Sequence, residues 1–113
     1  MRFKKIDEKI NNDYEQLKIG KGYDHCFIIN KNSSKAAELS SEASGRKLII
    51  STNQPGIQFY SGNHLSGFFN KNQGLCLETQ HFPDSPNNDN FPTTKLIANK
   101  EYYSETIYFF DVI

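Results

Sequence analysis

Cysteine is scarce: Cys26 and Cys76 in 113 residues are too few for a disulfide scaffold, and neither belongs to a zinc-type pair. Reduced thiols in a cytoplasmic protein are the expectation. Nor is there an excess of charge of either sign, since thirteen Lys+Arg balance thirteen Asp+Glu. Without a net field to draw in polyanions, a charge-driven nucleic-acid binder is disfavoured. No stretch approaches the roughly eighteen consecutive apolar residues of a membrane helix. The basic start, Met1 to Lys5, runs into acids and asparagines instead of an apolar signal core, so neither secretion nor a membrane anchor is expected. Glycine-rich phosphate loops, a nucleophile elbow and internal repeats are also missing, and no cofactor is expected. Finally, apolar residues make up only 36% of the chain, little for a small self-sufficient core.

What is present is aromatic and β-prone. Nine Phe and six Tyr carry much of the buriable area. Residues 1–22 are polar, with isolated Ile6, Ile10, Leu17 and Ile19, and read as a lead-in that would permit a short helix or an extended arm. The remainder, 23–113, reads as one domain. Cys26-Phe27-Ile28-Ile29 is a short apolar run, expected to be a strand buried on both faces or a piece of buried helix, with branched residues favouring strand. Ala36 to Ser44 could make a helical turn, but an edge strand with Lys35, Glu38 and Glu42 outward is the preferred reading. Lys47 to Thr52 reads as a strand, Asn53-Gln54-Pro55-Gly56 as a type II turn, and Ile57 to Tyr60 as the next strand, together a corner or a hairpin.

Leu75 to Gln80 is a further candidate strand. Pro83, Pro86 and Pro92 with their intervening asparagines form an irregular segment that cannot be a sheet interior. Thr106 to Ile113 has the content of a terminal strand. Strands separated by turn residues, without alternating long helices, predict an all-β fold, an antiparallel β-sandwich.

Chemistry-bearing residues fall on these strands. Period-two geometry puts Gln58 and Tyr60 on one face of their strand, and Cys76, Glu78 and Gln80 on one face of theirs. Glu is depleted in strands and costly to bury unpaired, so Glu78 is either a surface carboxylate on a wet face or a general base whose pKa is raised in a pocket. Asp24, at the entry to the Cys26 run, is either a turn residue or a side chain delivered to a site. His25, His64 and His81 lack metal-ligand spacing, and no metal site is expected. Tyr60, Phe68, Phe69 and Phe82 could build a stacking platform for sugar rings or bases, or pack in the core.

Longer motifs say more. Gly22-Tyr23-Asp24-His25, then Thr52 through Asn63 (TNQPGIQFYSGN), then Gly74 through Asp84 (GLCLETQHFPD) resemble, in order and spacing, three signatures of the aldose 1-epimerase (galactose mutarotase) family. Asn90-Phe91-Pro92 and Tyr102 through Phe110 resemble its closing segment, so the likeness runs from about Phe3 onward. Family members are much longer, and the chain resembles their C-terminal third.

The resemblance implies a large β-sandwich and an isomerase that interconverts the α and β anomers of aldohexoses such as galactose or glucose. It implies that Glu78 takes the proton from the anomeric hydroxyl, that Asp24 hydrogen-bonds sugar hydroxyls, and that Gln58 lines the substrate pocket. The family's acid histidine, which protonates the ring oxygen, lies in a motif that this sequence does not match, and His25, His64 and His81 are not substitutes by motif. Loss of a general acid alone removes about 10²–10⁴-fold in rate, so little activity is expected from this chain by itself. A sandwich portion of this kind should expose apolar surface or unpaired edges. Two copies, or a separately encoded N-terminal half, could complete it. The alternative is a non-catalytic carbohydrate-binding or interaction module.

Overall fold

The computed structural model describes residues 4–113. Among these the order of elements is a short helix α1 (Glu15–Gly20), then β1 (Asp24–Ile28), β2 (Ala37–Ser41), β3 (Arg46–Thr52), β4 (Gly56–Tyr60), β5 (Cys76–Gln80), a single 3-10 turn at Ser85–Asn87, and β6 (Thr106–Val112). The architecture is all-β and of the sandwich-like kind, with two antiparallel sheets of three strands each, ordered β1-β4-β5 and β2-β3-β6. The chain forms two compact units, one from residues up to 26 together with 58–78, the other from 27–57 together with 79–113. No helix among the described residues is long and apolar enough to cross a membrane.

In the first unit, α1 is too short to hold itself together in water. Its anchor is Leu17, 8% exposed, and its end is closed by Lys21 in the left-handed region, after which Gly22 N–H donates to Leu17 O at 2.9 Å. The lead-in therefore contains the helix that its spacing permitted. Gly22 itself has φ +138°, and a Cβ there would sit 2.2 Å from Asn63 Oδ1. Only glycine can pass this point.

In the second unit, β2 and β3 form an antiparallel hairpin whose turn is closed by Gly45 N–H to Ser41 O at 2.8 Å. The edge-strand reading for this segment holds over Ala37–Ser41, but not its outward set: Glu42 falls in the turn, and the Glu38 side chain is only 10% exposed. β3 lies in the middle, with β6 antiparallel on its other side in the register Ile50↔Tyr108 and Leu48↔Phe110. Alternation places Leu39, Leu48, Ile50, Tyr108 and Phe110 on one face, and Glu38, Lys47, Ile49, Phe109 and Asp111 on the other. Ile50 is fully buried and Ile57 is 5% exposed; with Leu17 they are the buried hydrophobic side chains of the described residues.

Two further local expectations are corrected, and one left open is settled. β1 is a strand, but not one buried on both faces: Phe27 is 48% and Ile28 78% exposed. The segment 53–56 is not a type II turn, because Gly56 does not take a positive φ and instead opens β4 as a buried residue. Side chains set this bend instead. Thr52 Oγ1 accepts from Gln54 N–H at 3.1 Å, and Gln54 Nε2 donates to Tyr102 Oη and Ser104 Oγ, each at 2.8 Å. Because β3 and β4 belong to different sheets, the bend is a corner and not a hairpin.

Candidate functional site

Asp24, Gln58 and Glu78 stand on β1, β4 and β5, three neighbouring strands of one sheet with β4 in the centre. Backbone bonds from Ser61 N–H to Tyr23 O (3.0 Å) and from Ile29 N–H to Pro55 O (3.0 Å) run β1 antiparallel to β4. In that register Asp24 and Gln58 are diagonal neighbours on one face, within reach of each other. Gln58 Nε2 donates to Asp24 Oδ1 at 2.7 Å. A carboxylate can only accept, which fixes the orientation of the amide and turns its oxygen the other way. Gln58 Oε1 is buried and accepts no hydrogen bond.

An orphaned buried acceptor costs about 1–3 kcal/mol. Here it stands beside a carboxylate whose position is held by the same side chain. The pair offers acceptors to hydroxyl groups and, with the amide nitrogen engaged, few donors. That is chemistry suited to a polyol. Glu78 lies one strand further along, exposed to solvent. The structure thus brings Asp24 and Gln58 into contact and leaves the Glu78 carboxylate open on the adjacent strand.

The chain entering β1 is clamped by a polar network from the loop that follows β4. Asn63 Nδ2 donates to Gly20 O (2.8 Å) and Tyr23 O (2.9 Å), while its Oδ1 accepts from Ser61 Oγ (2.6 Å) and Asn72 Nδ2 (3.2 Å). Ser61 Oγ in turn accepts from Tyr23 N–H at 3.0 Å. Ser61 and Asn63 are 3% and 4% exposed, so these bonds form away from bulk water. They fix Tyr23, and through it the backbone of Asp24. Tyr23 also stacks on Phe59 with ring centroids 5.0 Å apart. Local spacing in the sequence carries no signal of this network, whose bonds to Gly20 and Tyr23 join positions 43 and 40 residues apart.

The histidines take separate places. His25 Nδ1 accepts from Asp24 N–H at 3.0 Å, which puts the ring proton on Nε2. His64 is exposed, and its backbone N–H donates to Tyr60 Oη at 2.9 Å. His81 lies tilted against Tyr102 with centroids 6.4 Å apart. Of the aromatic residues considered as a platform, Phe68 and Phe69 form an exposed edge-to-face pair at 5.2 Å, whereas Phe82 packs edge-on against Phe91.

These strands and motifs form an all-β fold, and comparison with known proteins identifies its family. The family model described as aldose 1-epimerase matches residues 2–109, and the chain belongs to that family. It is 42% identical over 101 residues to the galactose mutarotase of Mus musculus, a match covering 80% of this chain and 30% of the relative. The galactose mutarotase of Homo sapiens is 40% identical with the same coverage. The aldose 1-epimerase of Escherichia coli (strain K12) is 39% identical over 110 residues, covering 87% of this chain and 32% of the relative. The chain spans less than a third of the length of these relatives.

Proposed function

We propose that this chain carries the base and hydroxyl-binding half of an aldose 1-epimerase site acting on aldohexoses such as galactose or glucose. The observation that carries the reading is the Asp24–Gln58 pair, bonded at 2.7 Å beside a buried amide oxygen with no partner. Gln58 Oε1 accepts from a sugar hydroxyl and Asp24 accepts from another. Glu78 is the base: it removes the proton of the anomeric hydroxyl, the C1–O bond to the ring oxygen breaks, and an acid protonates that oxygen. Rotation about C1–C2 and the reverse steps close the ring to the other anomer. The acid is a histidine of the part of the family that this chain does not match, provided by further sequence or a separately encoded N-terminal half. A cytoplasmic setting belongs to the same proposal and rests on the sparse cysteine usage.

Polarimetry on freshly dissolved α-galactose or α-glucose tests this. The chain by itself should leave mutarotation close to the uncatalysed rate, because a missing general acid costs about 10²–10⁴-fold. Full catalysis by the purified chain would overturn the claim that half of the site lies elsewhere. In any assembly that is active, Glu78→Gln should abolish the activity.

A second reading is favoured by one observation: the Asp24–Gln58 pair forms without the missing part, while Glu78 stays exposed. The chain would then be a non-catalytic sugar-binding module. It predicts saturable, sugar-dependent NMR shifts at Asp24 and Gln58 with no anomer exchange above background in any assembly. Absence of shifts at millimolar sugar rejects it.

A further inference from the structure

The Asp24–Gln58 pair offers chiefly acceptors, whereas a sugar hydroxyl both gives a proton and takes one. A donor on the same face would complete the grip, and the strand register supplies one. The bonds from Ser61 N–H to Tyr23 O and from Ile29 N–H to Pro55 O set Asp24 directly opposite Tyr60, in a pair of the closer, non-hydrogen-bonded kind. Side chains of such a pair leave the same face, with Cβ atoms about 4.5–5.5 Å apart. Tyr60 is half-buried, and its oxygen is held in place by accepting from His64 N–H at 2.9 Å. A phenol carries one proton, and among the described residues that of Tyr60 has no acceptor. Half-buried phenols usually find one. Gln58 Oε1, two positions earlier on the same face, lacks a donor in the same way. The two unmet groups are of opposite kind and cannot serve each other, since side chains two apart on a strand are spaced by about 7 Å and the Gln58 amide is turned to Asp24. A ligand carrying several hydroxyls meets both.

We infer that Tyr60 is a further sugar-binding residue, whose phenol donates to the oxygen of the hydroxyl that gives its proton to Asp24. One hydroxyl is then held in both of its capacities, by two side chains that face each other across the ladder. The His64 N–H keeps the phenol oxygen fixed, so the donor needs little ordering when the sugar arrives. The inference rests on the reading that Asp24 and Gln58 bind a sugar.

The test titrates the full chain with galactose into the millimolar range and follows three NMR signals: the Asp24 amide, the Gln58 side-chain amide, and the ζ carbon of labelled Tyr60. All three should move along one saturation curve. Tyr60→Phe keeps the ring and removes the donor, and should raise the dissociation constant about twofold to tenfold, the worth of one hydrogen bond. In an Asp24→Asn background the same substitution should cost clearly less, because two groups that grip one hydroxyl are not additive. If Tyr60→Phe does not fold, the Tyr60 ζ-carbon signal of the unaltered chain decides. Shifts at Asp24 and Gln58 with that signal unmoved, an unchanged constant in Tyr60→Phe, or an equal loss in both backgrounds would each overturn the inference and leave the sugar-binding reading in place. No shift at any of the three residues would overturn both.

Discussion

Gly62 shows how much a single position can be constrained. Its φ is +68°, and a Cβ there would lie 2.2 Å from the backbone oxygen of Gly74 and 2.8 Å from Leu65 Cδ1. Gly45 has nearly the same φ, +67°, with nothing within 4 Å of a Cβ. The two glycines separate conformational cost from steric cost. Gly45→Ala should lose about 1–2 kcal/mol, the left-handed penalty alone. Gly62→Ala should lose clearly more, because backbone and not a flexible side-chain end must move, and denaturant midpoints of the two variants check the order. Asn63→Ala should be at least as damaging as Gly45→Ala, since it strips partners from Ser61, Asn72 and two backbone carbonyls in a buried setting. At this scale the motif residues Asp24 and Gln58 were legible in sequence. The Asn63 clamp was not, because nothing in local spacing reveals a bond between positions forty residues apart.

Among the elements, the β3–β6 ladder carries its own pH signature. Lys47 faces Asp111 across the ladder, and their hydrogen bond at 2.8 Å holds the Asp111 carboxyl below its ordinary 3.8 and the Lys47 ammonium above its ordinary 10.5. The Val112 N–H adds to the effect on Asp111, and Glu38 on the same face adds to that on Lys47. A lowered carboxyl pKa stabilises the fold above the unfolded value, and this contribution is lost as pH falls through the folded one; a raised ammonium pKa stabilises below its unfolded value and is lost as pH rises through the folded one. The pair's contribution should therefore be flat between about pH 5 and pH 9, with losses below 3.8 and above 10.5. Asp111→Asn should remove the acid flank of the profile and most of the alkaline one, leaving the part that Glu38 supplies, when urea midpoints are measured against pH. Such cross-strand pairing was out of reach of the sequence, although five of the six strands were placed to within about two residues, the usual uncertainty of element ends, and β2 was read three residues too long at its end. Period-two alternation and turn residues mark where strands run, whereas sheet membership depends on long-range pairing, which is why the corner at 53–55 was left open between corner and hairpin.

For the molecule as a whole, the low apolar content has a structural counterpart in the small set of buried hydrophobic side chains, Leu17, Ile50 and Ile57 among the described residues. Polar ties do part of the work that a core does in larger domains. In the second unit, the corner residues Thr52, Asn53 and Gln54 all bond the stretch from Tyr102 to Thr106: Thr52 Oγ1 meets Thr106 Oγ1 at 2.9 Å, Asn53 Nδ2 donates to Tyr103 O at 3.2 Å, and Gln54 reaches Tyr102 and Ser104. Gln54 is 7% exposed, so its truncation loses two hydrogen bonds and leaves a space that the chain must close. Large aromatic side chains usually dominate such comparisons, with losses of about 3–5 kcal/mol when a buried Phe is cut to Ala. Phe110 is 77% exposed and cannot follow that rule. The expected order is inverted: Gln54→Ala should cost about 1–2 kcal/mol, and Phe110→Thr, which keeps the preference for strand, should stay within about 0.5 kcal/mol. Equilibrium urea unfolding of the chain by itself makes the comparison, and a larger loss for Phe110→Thr would mean that the aromatic face of β6 is already covered in solution.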